Sequence, residues 1–302
     1  MSHRERTIRR LAVEVVDEVG VTNFPLDPTL VAEAKDLRVE EEDFSTEGIF
    51  GALILEGGHF RILVSRGCFG SGHRRFTIAH ELGHYHIPGH LDELMSAGGG
   101  VKPSLGGHFR NQRVPEEREA DWFASELLVP TAYGTRWVSS RQPTTESLQE
   151  LADTFGVSLT CAGIRFAELT SAAVAVILAL DGQIEWVAMS DRVRDHRWAR
   201  KYWKQEDAPS RSVTVGLAQS PESVRQGERR DGSQLLCEWF EGAPPDLEVE
   251  EEVLGLGRYG RTLTLLTMPD LLDPEDFEEV QQEHEESGTG DWRDALRGFR
   301  MG

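Results

Sequence analysis

The stretch Arg75-Phe76-Thr77-Ile78-Ala79-His80-Glu81-Leu82-Gly83-His84-Tyr85-His86 constrains this chain more than any other. Residues four apart on an α-helix share a face, so a helix here aims His80 and His84 at one point, where two imidazole nitrogens can hold one metal ion. Glu81 stands one step round, placed to take a proton from a water that the metal activates. Ile78, Leu82 and Tyr85, at i, i+4 and i+7, form an apolar stripe that needs a core to cover it. Gly83 costs a helix roughly 1 kcal/mol relative to alanine, so its presence predicts a close approach of another backbone. Pro88-Gly89 ends the helix.

Two histidines and a base still need a third ligand. Pro115-Glu116-Glu117-Arg118-Glu119-Ala120-Asp121-Trp122-Phe123-Ala124-Ser125-Glu126-Leu127-Leu128-Val129-Pro130 reads as a second helix, opened by Pro115, acidic in its first turn and closed by Pro130. Glu117, Ala120, Asp121 and Ala124 share one face, while Phe123 and Leu127 share another suited to the core. Glu117 can supply the metal's third ligand, and Asp121, one turn on, can hold a ligating histidine by its other N–H. Glu119 competes for the role and Glu116 is a weaker rival. Glu119 points about 200° from Glu117, into the company of Trp122, Phe123 and Glu126, where bulk keeps a partner helix away.

Together the two stretches resemble the ImmA/IrrE family of zinc metallopeptidases. Arg-Phe-Thr-Ile-Ala-His-Glu-Leu-Gly-His is followed by Glu-x-Glu-Ala-Asp-x-Phe-Ala-x-x-Leu-Leu-x-Pro. The similarity is specific from about residue 51 to 130 and weaker to about 170. It implies a gluzincin-like protease that cleaves a repressor or antitoxin-like regulator, with His80, His84 and a glutamate of the second motif on Zn2+ and Glu81 as general base. The chain departs from the family at Val129, where methionine is usual, and in a long glycine-rich insert over residues 90–114.

Charge narrows the partners. Lys+Arg 32 against Asp+Glu 52 gives a formal net charge of −20, which argues against binding bulk nucleic acid or an anionic membrane. Cys68, Cys161 and Cys237 are odd in number and widely spaced, as expected of free thiols in a reducing compartment. The longest apolar run, residues 172–180, falls far short of a membrane span. A soluble cytoplasmic protein is therefore expected.

Along the chain, Ile8, Leu11, Val15, Val16 and Val19 mark one face of a helix ending at Gly20, and Asp27-Pro28 opens another. Strands are expected at 37–42, 49–56 and 60–65, the last two joined by Gly57-Gly58. Residues 49–55 are the candidate edge strand for a substrate backbone. Residues 95–107 read as a bare loop, a lid or an insert. Residues 146–155 and 159–169 form a helical hairpin spaced like a helix-turn-helix, but its acids and single base, Arg165, disfavour DNA. A β-hairpin turns at Asp181-Gly182, and further strands are expected at 212–217, 235–240 and 262–268. The basic, aromatic stretch 192–204 suits either a partner surface or a helix burying tryptophans.

The expected fold is thus α+β. A zincin-like peptidase domain (1–145), its active-site helix on a small β-sheet, precedes the hairpin (146–170). An α+β accessory domain (171–270), sensor-like by analogy with longer family members, and an acidic tail (271–302) complete the chain. The expected function is a zinc endopeptidase. The alternative is a non-catalytic, zinc-stabilised regulatory module, which would need both histidines but not Glu81. Tyr85, His90, His108 and Tyr133 are unranked candidates for the oxyanion partner, and His86 stands near them.

Overall fold

The α+β architecture is present in the computed structural model, which describes residues 1–20, 23–44, 48–68, 70–105, 114–199, 207–268 and 271. The chain divides into two units, Met1–Ser140 with Glu146–Phe166, and Arg141–Thr145 with the residues from Ala167 onward.

In the first unit, α1 (His3–Val19) begins at Ser2, whose hydroxyl accepts the Glu5 amide, and stops at Gly20 in a left-handed conformation. Ile8, Ala12, Val15 and Val16 are its buried face. Asp27 caps α2 (Pro28–Glu33). The expected strands follow as β1 (Arg38–Glu42), β2 (Ile49–Glu56) and β3 (His59–Ser65). The β2–β3 turn uses Gly57 and Gly58 at φ 58° and 83°, values that favour glycine and match the twist of a hairpin. Next comes α3 (Ser71–His86), with Ile78 and Leu82 fully buried and Tyr85 half-buried.

The glycine-rich segment corrects the sequence reading. Instead of a bare loop it carries the end of α4 (Asp92–Ser96) and all of β4 (Gly100–Leu105), which pairs antiparallel with β2. The sheet order is β1-β3-β2-β4, so β2 is an inner strand and β4, like β1, is an edge. Gly99, at φ 140°, brings the chain in so closely that a Cβ there would lie 2.8 Å from the Leu55 carbonyl oxygen. Pro103 lacks a ladder donor, which an edge strand tolerates. Residues 106–113, with His108, lie outside the described residues.

The helix predicted over the second motif is α5 (Pro115–Leu128), with Phe123 and Leu127 fully buried, each contributing roughly 1.5–3 kcal/mol by burial. The approach predicted at Gly83 is made by α5: a Cβ on Gly83 would meet Ala120 Cα at 3.1 Å. After α6 (Thr131–Val138) come α7 (Thr145–Phe155) and α8 (Leu159–Leu169), the expected hairpin, turning at Gly156 with φ 64°. Arg165 of α8 is 1% exposed and donates to Glu126 and the Val129 carbonyl. The one base of that helix is therefore unavailable to a phosphate.

The second unit is built on an antiparallel sheet of order β6-β5-β9-β8-β7. β5 (Val174–Leu180) and β6 (Gln183–Met189) form the expected hairpin, with Asp181 and Gly182 at φ 52° and 84°. After α9 (Asp191–Arg194), Trp198 is buried against Phe240, so it belongs to the core and not to a partner surface. Tyr202 and Trp203 lie outside the described residues.

Two expected strands are helices instead. Residues 212–217 fall in α10 (Val213–Ala218), where Ser212 and the buried Glu251 accept its first amides. Residues 235–240 contain α12 (Leu236–Trp239), which follows α11 (Pro221–Gln226) and β7 (Arg229–Leu235). Leu236, Trp239 and Phe240 are all buried at helical spacing. β8 (Glu248–Gly255) completes the sheet with the expected β9 (Arg261–Thr267). The acidic tail beyond Leu271 lies outside the described residues, and among those described no helix is long and apolar enough to cross a membrane.

The contact of α3 with the sheet rests on Gly51 of β2. A Cβ there would lie 2.5 Å from Glu81 Oε1 and 2.6 Å from Thr77 Cγ2. Gly51→Ala is expected to cost about 1–3 kcal/mol by overpacking, read as a lower urea midpoint. An unchanged midpoint would mean that β2 and α3 can part without strain.

Candidate metal centre

One turn of α3 and the first turn of α5 meet at three ligand atoms. His80 Nε2 lies 3.1 Å from His84 Nε2 and 3.2 Å from Glu117 Oε2, and His84 Nε2 lies 3.3 Å from Glu117 Oε1. His80, His84 and Glu117 form the one such cluster of three or more groups among the described residues. Both histidines are buried, and Glu117 is largely so. A tetrahedral ion with metal–nitrogen bonds of 2.0–2.1 Å has ligand–ligand edges of about 3.3–3.4 Å. The separations are of that order, with each Glu117 oxygen facing one imidazole, and two nitrogens with one carboxylate suit a divalent cation of zinc type.

Asp121 stands behind this trio, its Oδ1 2.9 Å from His80 Nδ1. The carboxylate holds the proton on Nδ1, so that Nε2 is the ring atom that faces the cluster. Both roles read from the face of the second helix, Glu117 at the centre and Asp121 behind a histidine, are therefore occupied in space. Glu119 lies elsewhere: its Oε2 is 3.1 Å from His90 Nε2, and it pairs with Arg4. Glu116 bonds Lys102.

The charges are coupled. Burial opposes protonation of His80, but its hydrogen bonds to Asp121 and Glu117 prevail and raise its pKa to about 10. Burial lowers His84 to about 4 against the pull of Glu117. Burial would raise Glu117, yet its bonds to both imidazoles hold it far below the usual carboxylate range. One proton thus sits among three ligand atoms, and a divalent ion taking its place would release it.

Glu81 is fully buried, and neither of its oxygens has a hydrogen-bond partner. Burial, opposed by the His80 charge, raises its pKa to about 7. The Ser104 hydroxyl of β4 faces it without completing a hydrogen bond. An orphaned acid that exchanges its proton near neutrality, beside a metal-ligand trio, can serve as a general base and then a general acid.

Other sequence candidates fall away from this constellation. His86 stacks on Phe123, and burial lowers its pKa to about 4. Tyr85 meets Phe60 edge-on, and Tyr133 packs against Phe24. Cys68 is half-buried near Thr77, and burial pushes its thiol up, away from the reactive thiolate. His90 is drawn into the centre, with its Nδ1 3.0 Å from His84 Nδ1. Sequence reasoning placed it near substrate instead, because the six-residue step from His84 carries no helical signal.

Residues 32–167 match the model of the Peptidase_M78 family, the IrrE N-terminal-like domain. This segment contains the whole cluster and Glu81, and over it the chain is similar to the ImmA/IrrE metallopeptidases. No curated protein sequence matches the chain. Among solved structures, a Mycobacterium tuberculosis transcriptional regulator is similar at a TM-score of 0.53 and 15% identity, over 89% of this chain and 77% of that one. At that identity the likeness is one of fold.

Asp121→Asn offers an amide in place of the carboxylate that accepts from His80 Nδ1, and so disturbs that ring's tautomer. Zinc affinity measured by chelator competition is expected to fall roughly 10–100-fold, with the fold retained. An unchanged affinity would remove Asp121 from the centre.

Proposed function

We propose that this protein is a zinc-dependent endopeptidase that cleaves a protein regulator, a repressor or antitoxin-like protein, in the cytoplasm. The observation that carries the reading is the pairing of the ligand trio with Glu81, a buried carboxyl group lacking any hydrogen-bond partner. A structural metal site needs the ligands but gains nothing from an orphaned acid, which is costly to bury. The family match over residues 32–167 supports the reaction class, and the resemblance to ImmA/IrrE proteases supports a regulator as substrate.

His80, His84 and Glu117 would hold the ion. A zinc ion so bound would supply Lewis acidity, which would polarise the scissile carbonyl and make water more acidic. Glu81 accepts the proton of the attacking water and hands it to the departing amine, a double duty suited to its pKa near 7. Asp121 keeps the His80 lone pair in place throughout. The substrate enters as an extended chain adding to the sheet edge at β4, the position taken by residues 100–105 and not by 49–55.

Incubation with co-encoded repressor-like proteins, with and without zinc, read by intact mass, tests the assignment. Glu81→Gln is expected to bind zinc as the wild type does and to cleave at least about 100-fold more slowly. Cleavage by that variant at the wild-type rate would rule out the mechanism.

A further inference from the structure

We propose that His90, Glu119 and Arg4 form a line of positioning residues that fixes the metal-facing lone pair of His84, which makes the N-terminal helix a working part of the metal centre. The inference rests on the metallopeptidase reading above. His84 is fully buried, with its Nδ1 3.0 Å from His90 Nδ1. His90, itself 4% exposed, has Nε2 3.1 Å from Glu119 Oε2. Both Glu119 oxygens are held by Arg4 of α1, from Nε at 2.9 Å and from Nη2 at 2.5 Å. Lys102 Nζ donates to the His90 carbonyl at 3.1 Å and steadies the backbone that carries the ring.

One set of protons satisfies every contact along this line. With its Nε2 kept for the metal position, His84 carries hydrogen on Nδ1 and donates it to His90 Nδ1. His90 then holds its own hydrogen on Nε2 and donates it to Glu119, whose carboxylate accepts from Arg4 through both oxygens. Every donor points away from the metal position, so the line orients His84 and strengthens its lone pair, as a carboxylate behind a ligating imidazole does. His80 reaches its carboxylate directly through Asp121. His84, deeper in the unit, reaches one through a second imidazole. Arg4 lies outside residues 32–167, so the anchor is supplied from beyond the matched family domain. Glu119, the rival for third ligand, thus acts on the ion through two side chains.

The test uses the full chain with Zn2+ and Co2+ as probes. His90→Ala is expected to lower zinc affinity about 10–100-fold. His90→Asn, whose carbonyl can stand in for Nδ1 as acceptor, should restore most of the loss, whereas His90→Gln, which reaches toward Glu119 instead, should not. Arg4→Gln, at a half-exposed position, should keep the fold and weaken binding about two- to fivefold. The Co2+ absorption bands should move in His90→Ala and return in His90→Asn. A purely structural role would alter thermal unfolding and leave those bands in place. Wild-type affinity and bands in both His90→Ala and Arg4→Gln overturn the proposal while leaving the peptidase reading intact. Failure of the wild-type chain to bind either ion overturns that reading first.

Discussion

The close passage of α5 over α3 at Gly83 is the contact on which the rest depends. A Cβ at that glycine would meet the backbone of Ala120 at 3.1 Å. Ala120 lies between Glu117 and Asp121, so the same approach that fits glycine to alanine delivers one carboxylate to the two imidazoles and another behind them. Were the helices held apart by a larger side chain, Glu117 would lose both histidines at once. Gly51 acts in the same way on the opposite side, where the absence of a side chain on β2 makes room for Glu81. The chemistry of the centre is set by two places where nothing protrudes.

The consequence is a concentration of polar groups in the interior. His80, His84, His90 and Glu81 are all buried, and Glu126 is buried with Arg9 and Arg165 a short way along α5. The two sets are handled differently. Glu126 is fully engaged, accepting from two arginines and from Thr131, and so costs little to bury. Glu81 accepts no completed hydrogen bond, and burial, only partly offset by the His80 charge, raises its pKa. The same fold thus treats two buried glutamates in opposite ways.

Much of the centre was legible in the sequence, because helical spacing is rigid. Four-residue steps placed His80 with His84 and Glu117 with Asp121 on their faces, and no tertiary knowledge was needed to see it. The small sheet was legible where glycines marked a turn and obscure where they marked an entry. Gly98 to Gly100 read as loop, yet their positive φ values let the chain swing into register beside β2. In the second unit, α10 was misread because β-branched Val213, Thr214 and Val215 favour strands, and a tertiary cap from Glu251 overrode them. β8 was missed for the complementary reason: the inward position 251, where a strand pattern asks for an apolar residue, holds that same glutamate. His90, Glu119 and Arg4 could not be connected from spacing at all, since they come from a connecting segment and two helices.

The ligand trio joins His84 of α3 to Glu117 of α5, which are far apart in the sequence. An ion bound there is a removable cross-link that closes the loop between them and restricts the open chain, as a disulfide would. Because it binds only the assembled site, it also draws the folding equilibrium by mass action. Metal supply would then govern how long the protein survives as well as how fast it works, with the metal-starved population the one exposed to degradation.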